Sequence, residues 1–214
     1  SSLSNEDTDF IDDNGFRLGT GSSIFSHNNL NLLRLLTLTK DITISGQPKK
    51  LVVLSFRGTD NGFDYINDAK LIPEPFYEKA ELDVHRGFQQ YFMELRTQEN
   101  EVIIDSETLA QHINDSKNNQ ALFVLTGHSL GGAIAKLYAA SLRERGVPES
   151  NVLVYTYGAP PVGFYDFRQQ YNPVDGINRV NIIETSNQLD PIYSLSNIIW
   201  RFPALNTYGR YLHT

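Results

Sequence analysis

Ala121-Leu122-Phe123-Val124-Leu125-Thr126-Gly127-His128-Ser129-Leu130-Gly131-Gly132-Ala133-Ile134-Ala135-Lys136-Leu137-Tyr138-Ala139-Ala140 is the stretch that decides the fold. An apolar, β-rich run leads into Gly127-x-Ser129-x-Gly131, and an alanine-rich run of helical character leaves it. Strand, sharp turn and helix are the context in which Gly-x-Ser-x-Gly reads as a nucleophile elbow. The flanking glycines have no Cβ, so strand and helix can pass close together there. A helix that starts at the serine aims unpaired backbone N–H groups at the reacting centre. The N–H of Leu130 is then the natural oxyanion donor.

Outward from this stretch, apolar β runs alternate with helical patterns. Leu51–Phe56 is a continuous apolar run of the kind buried on both faces of a sheet, and Val152–Tyr157 and Val180–Ile183 are further strands. Leu30–Leu38 fits helix or strand, with a Thr-rich tail through Ile44 that favours a strand. Ser45-Gly46-Gln47-Pro48 reads as a turn. Pro73 and Pro75 mark a broken loop, and Leu82–His85 a short strand. Gly87 opens a helix through Phe88, Tyr91, Phe92 and Leu95; Ser106 is placed to cap another through Leu109 and Ile113, with a polar turn over 114–119. The elbow helix is expected to stop at Gly146, before Pro148. Residues 1–22 are polar and acidic and read as an entry arm. The whole predicts one α/β domain over residues 1–214, with a mostly parallel, doubly wound sheet. Such sheets place their chemistry at the carboxyl ends of the strands.

Composition narrows the function. A net charge of −7, from 18 basic and 25 acidic residues, argues against nucleic acid and against docking on anionic lipid. The absence of cysteine removes disulfides, thiolate catalysis and Cys-based metal sites. No apolar run is long enough for a transmembrane helix. No signal peptide is recognised, and the chain opens Ser1-Ser2-Leu3, which reads as trimmed. The expectation is a soluble protein, with secretion compatible and the compartment open.

A serine needs a base to take its proton and a carboxylate to orient that base. Downstream of Ser129, Asp190 is the best-placed acid, in a loop after a predicted strand; Asp166, Asp175 and Glu184 compete, Glu184 most seriously. Of the five histidines, His27, His85, His112, His128 and His213, only His213 follows Asp190, and it is the penultimate residue. A base at a chain end is poorly held.

Thr126–Ala133, Phe56-Arg57-Gly58-Thr59, Val84-His85-Arg86-Gly87-Phe88 and Tyr155–Gly163 together resemble the motifs of the class 3 lipases, the fungal-type triacylglycerol lipases and their relatives. The resemblance runs from about Leu51 to the end of the chain. It implies an α/β-hydrolase that cleaves carboxylic esters of lipids without a cofactor or metal, through an acyl-enzyme, with a lipid–water interface as a candidate partner. It makes Ser129 the nucleophile, Asp190 the triad acid, Leu130 the first oxyanion donor and Thr59 the second. It gives His85 and His128 structural roles. Tyr65 stands where the family has Trp, and Pro161 where it has Arg. Tyr208–His213 is similar to a non-catalytic Tyr-x-His motif, so two alternatives stand: His213 is the base, or the base lies beyond residue 214. Residues 60–77 match the family's lid, read either as a flap or as an ordinary packed segment. The competing functions are a lipase-like binding module without turnover and a phospholipase of the same fold.

Overall fold

The computed structural model describes residues 9, 11–19, 24–27, 30–58, 72–171 and 178–182. Its centre is a seven-stranded mixed sheet of β1 (Arg17–Leu18), β2 (Ile24–His27), β3 (Leu30–Ile44), β4 (Gln47–Phe56), β9 (Ala121–His128), β10 (Val152–Tyr157) and β11 (Asn178–Ile182). The order runs β1-β3-β4-β9-β10-β11, with β2 also paired to β3. β4, β9, β10 and β11 are parallel neighbours, whereas β1, β2 and β4 all pair antiparallel with β3. The α/β sheet expected from the sequence is present. Its parallel half carries the elbow, and its antiparallel half grows from one long hairpin.

That hairpin settles the ambiguous Leu30–Leu38 run as strand. β3 and β4 pair continuously from Leu35 opposite Phe56 to Ile44 opposite Gln47. The turn is two residues, not four: Ser45 and Gly46 have φ of 51° and 78°, and Gln47 and Pro48 already belong to β4. Two positive φ values in a two-residue loop match the right-handed twist of the flanking strands.

Leu51–Phe56 is not equally buried on its two faces. Val52, Leu54 and Phe56 are fully buried, while Leu51, Val53 and Ser55 are half-buried. β9 alternates in the same way, with Ala121, Phe123 and Leu125 on the fully buried face. A helix made of small apolar residues explains the tight side. α3 (Leu130–Glu144) is buried at every position from Leu130 to Leu142 and packs on β4, β9 and β10. A helix buried on nearly every face belongs inside a core, and its one buried cation, Lys136, donates to the Ala159 and Pro160 carbonyls. It ends as expected at Gly146, with φ 88°: the Gly146 N–H donates to the Arg143 carbonyl and the Val147 N–H to that of Leu142. This is the Schellman closure that favours glycine.

The long connection from β4 to β9 holds two small hairpins and two helices: β5 (Pro73–Phe76) with β6 (Lys79–His85), α1 (Arg86–Arg96), β7 (Ile103–Ile104) with β8 (Glu107–Thr108), and α2 (Leu109–Lys117). The stretch around Pro73 and Pro75 is therefore a strand rather than a loop. A two-stranded ribbon has only edges, where a residue without an N–H is tolerated. Phe76 is fully buried against Phe92 and Phe167, so this end of the 60–77 segment is ordinary core packing. α2 is capped by Thr108, not Ser106. The Gln111 N–H donates to the Thr108 hydroxyl and the Thr108 N–H to the Gln111 side chain. This reciprocal box satisfies two end donors at once. The helix then runs to Lys117, through the first four residues of the expected polar turn at 114–119.

α1 and α3 are tied by a buried ionic cluster. Glu99, 4% exposed, receives both arms of Arg145 at 2.7 and 2.8 Å and the Tyr138 hydroxyl at 2.7 Å. Burial, then the adjacent carboxylate, push the Tyr138 phenol well above its ordinary pKa, so it stays a donor.

Candidate active site

The parallel register brings three strand ends to one level. Phe56 is the neighbour of Gly127, and His128 is the neighbour of Tyr157. Ser129 follows at the start of α3 with φ 54° and ψ −120°, a conformation that costs a non-glycine residue about 1–3 kcal/mol. Serine at a helix start usually sits in the β region and caps the helix with its own oxygen. Ser129 does neither: no cap hydrogen bond is made by its side chain. Its N–H donates to the Tyr157 carbonyl at 2.9 Å, which anchors the turn to β10. Leu130, 3% exposed, is the first helical residue and its N–H has no acceptor one turn earlier in the helix.

Close backbone contact holds this geometry. A Cβ on Gly131 would lie 2.1 Å from the Phe56 carbonyl oxygen and 2.8 Å from its carbon. One on Gly127 would meet the Gly131 carbonyl carbon at 2.4 Å. One on Gly58 would lie 2.8 Å from the His128 oxygen and 3.8 Å from the Ser129 Cβ, so the chain leaving β4 passes directly by the serine. Gly131→Ala is accordingly expected to destabilise the protein by about 3 kcal/mol, the upper end for overpacking, because only rigid backbone faces the new methyl. Urea denaturation checks this; an unchanged midpoint would show that α3 has room to shift.

Ser129 and Leu130 are thus where the sequence placed them. Thr59, Asp190 and His213 lie outside the described residues, as do the rivals Asp175 and Glu184. Asp166 is exposed in the first turn of α4 (Tyr165–Gln170). His128 ends β9 and is exposed. A cleft of about 430 Å³ adjoins the elbow, lined by the strand-end residues from Ser55 to Gly58, those from Thr126 to His128, and Tyr157. Ser129, only 4% exposed, is not part of that lining. The cleft therefore belongs to the strand ends beside the elbow. Arg57 and Tyr157 lie within motifs quoted from the sequence, which assigned neither a role of its own. The period-two exposure of Tyr155 and Tyr157 in β10 is the signal that marks Tyr157.

His85 is structural, as the motif resemblance implied. It is 1% exposed, with its ring packed against those of Phe88 and Phe164, and its backbone N–H donates to the Val162 carbonyl. Burial lowers its pKa from 6.5 to about 4. The unfolded chain then binds the proton first, so stability is full above pH 6.5 and falls as the pH drops toward 4. This single group should cost on the order of 3 kcal/mol by pH 4. Denaturation of wild type and His85→Phe at pH 7 and pH 4 checks it: the wild type should lose more, and equal losses would remove His85 as the cause.

A strained serine joining strand to helix at the carboxyl edge of an α/β sheet defines an α/β-hydrolase. Residues 53–199 match the model of the family described as lipase (class 3), and the chain belongs to that family. It is 32% identical over 128 residues to a lipase of Rhizomucor miehei, covering 58% of this chain and 33% of that protein. It is 34% identical over 115 residues to the secreted mono- and diacylglycerol lipase 1 of Fusarium solani, covering 54% and 31%. The chain spans about a third of the length of these curated relatives. Its fold is similar to that of lipase II from Rhizopus niveus, with a TM-score of 0.59 at 22% identity over 79% of this chain and 58% of that one. Among the described residues, no helix is long and apolar enough to cross a membrane.

Proposed function

We propose that the protein is a serine hydrolase of lipid carboxylic esters, acting through an acyl-enzyme. The observation that carries the reading is the backbone of Ser129, held at φ 54° with its side chain turned away from the capping role. Ser129 Oγ attacks the ester carbonyl carbon while a histidine takes its proton. Asp190 orients that histidine. The tetrahedral oxyanion accepts hydrogen bonds from the N–H groups of Leu130 and Thr59. The intermediate collapses, and the proton goes to the departing alcohol. Water then attacks the acyl group, the histidine acts as base again, and the free acid leaves with Ser129 restored. One oxyanion donor contributes roughly 3 kcal/mol to lowering the barrier. The base is His213 or a histidine beyond residue 214, and residues 1–214 form one hydrolase domain in this reading.

A fluorophosphonate probe tests the proposal. It should label one residue, Ser129, at a rate that plain serine does not reach, and pre-incubation with an ester substrate should slow it. Absence of labelling in folded 214-residue protein would leave two readings, a base beyond residue 214 or a binding module that kept the fold without turnover.

A further inference from the structure

Away from the elbow, the β7–β8 hairpin and α2 place Glu107, His112 and Asp115 together. His112 is fully buried. Its Nε2 lies 2.9 Å from the Ile104 carbonyl oxygen. A carbonyl only accepts, so Nε2 carries the hydrogen, and the neutral ring presents its lone pair at Nδ1. That atom has no hydrogen-bond partner among the described residues. Glu107 Oε2 faces it at 3.4 Å. A ring nitrogen of His112 and one carboxylate oxygen each from Glu107 and Asp115 lie within 4.8 Å of one another. A lone pair facing two carboxylates is repulsive unless something positive lies between them.

The geometry points to a binding site for a divalent transition cation of the zinc type, formed by Nδ1 of His112 and the carboxylates of Glu107 and Asp115. A proton on Nδ1 is the competing answer, and it fits less well. A charge-assisted N–H···O bond is about 2.7–2.9 Å long, shorter than this separation, and one proton has one direction, so it serves Glu107 or Asp115 but not both. A metal ion serves all three. The Ile104 carbonyl on Nε2–H is the kind of partner that metal-ligating histidines have, fixing tautomer and ring orientation. Ligands at about 2.0–2.2 Å from tetrahedral zinc stand roughly 3.4 Å apart, which the His112–Glu107 pair already satisfies. The half-exposed carboxylates have the freedom to close the rest. One imidazole with two carboxylates leaves a fourth position for water; calcium and magnesium ask for six or more oxygens. None of the three residues lines the cleft at the elbow. The ion would clip β8 to α2, which packs on the strand leading to Ser129.

Untagged 214-residue protein, stripped with a chelator, should bind one equivalent of Zn²⁺ by calorimetry. With Co²⁺ it should give the visible absorption of a tetrahedral site. Outer-shell losses at metal sites already cost roughly 10–100-fold in affinity, so Glu107→Gln and Asp115→Asn should each weaken Zn²⁺ by at least about tenfold and abolish the Co²⁺ spectrum. Both side chains are partly exposed, so both variants should fold, with circular dichroism as the check. Wild-type protein that binds neither ion overturns the site, as does either folded variant binding Zn²⁺ as tightly as wild type. Neither outcome depends on ester hydrolysis.

Discussion

Ser129→Ala should lower kcat for a short-chain p-nitrophenyl ester by roughly 10⁶ in protein that carries the complete proposed triad, the scale seen when a triad nucleophile is removed, and should leave the fold intact. The size follows from what the residue does. In the proposed mechanism Ser129 alone forms the acyl-enzyme, so its loss leaves only binding and the oxyanion donors, which supply a small residue of catalysis. The fold survives because the change removes one oxygen from a side chain that caps nothing. Alanine at φ 54° is no more strained than serine there, since both carry a Cβ. Rate measurement together with a urea midpoint checks both halves. Pure Ser129→Ala protein that keeps its activity would end the serine-hydrolase reading.

Asp190→Asn should reduce turnover by roughly 10⁴, because in the proposed triad the base then loses both its orientation and its tautomer. Substrate binding should change little, so the loss should appear in kcat and not in KM. The same assay on Glu184→Gln supplies the comparison. A tenfold loss or less at Asp190, with a large loss at Glu184, would move the acid there.

The parts of the fold and site fixed by local chemistry were readable in advance. Ser129 and Leu130 were legible because Gly127, Gly131 and the alanine run leave a strand-to-helix turn little alternative. The end of α3 was legible because Gly146 and Pro148 are local stop signals. β5 was not, although its partner β6 was: prolines at 73 and 75 argue against a strand until one knows that the ribbon has no central position. The start of α2 was misread because Ser106 and Thr108 both suit a cap, and only Gln111, three residues after Thr108, separates them. The uneven burial of β4 depends on which face α3 covers, which no strand states in its own sequence. Glu107, His112 and Asp115 carried a signal that passed unused. His112 and Asp115 are three apart on one helix face, and Glu107 enters just before the cap.

The two-residue turn at Ser45–Gly46 has a practical consequence for orientation. It sits at the amino end of β4, while the elbow contacts lie at the carboxyl end, so the two are separated by the length of a ten-residue strand, about 30 Å. The space beside Gly46 is open, with nothing within 4 Å of a Cβ, but its φ of 78° favours glycine, so the neighbouring Ser45 is the position to modify. A tether attached at this tip would hold the molecule by its far pole, with the edge that bears Ser129 directed away from the support.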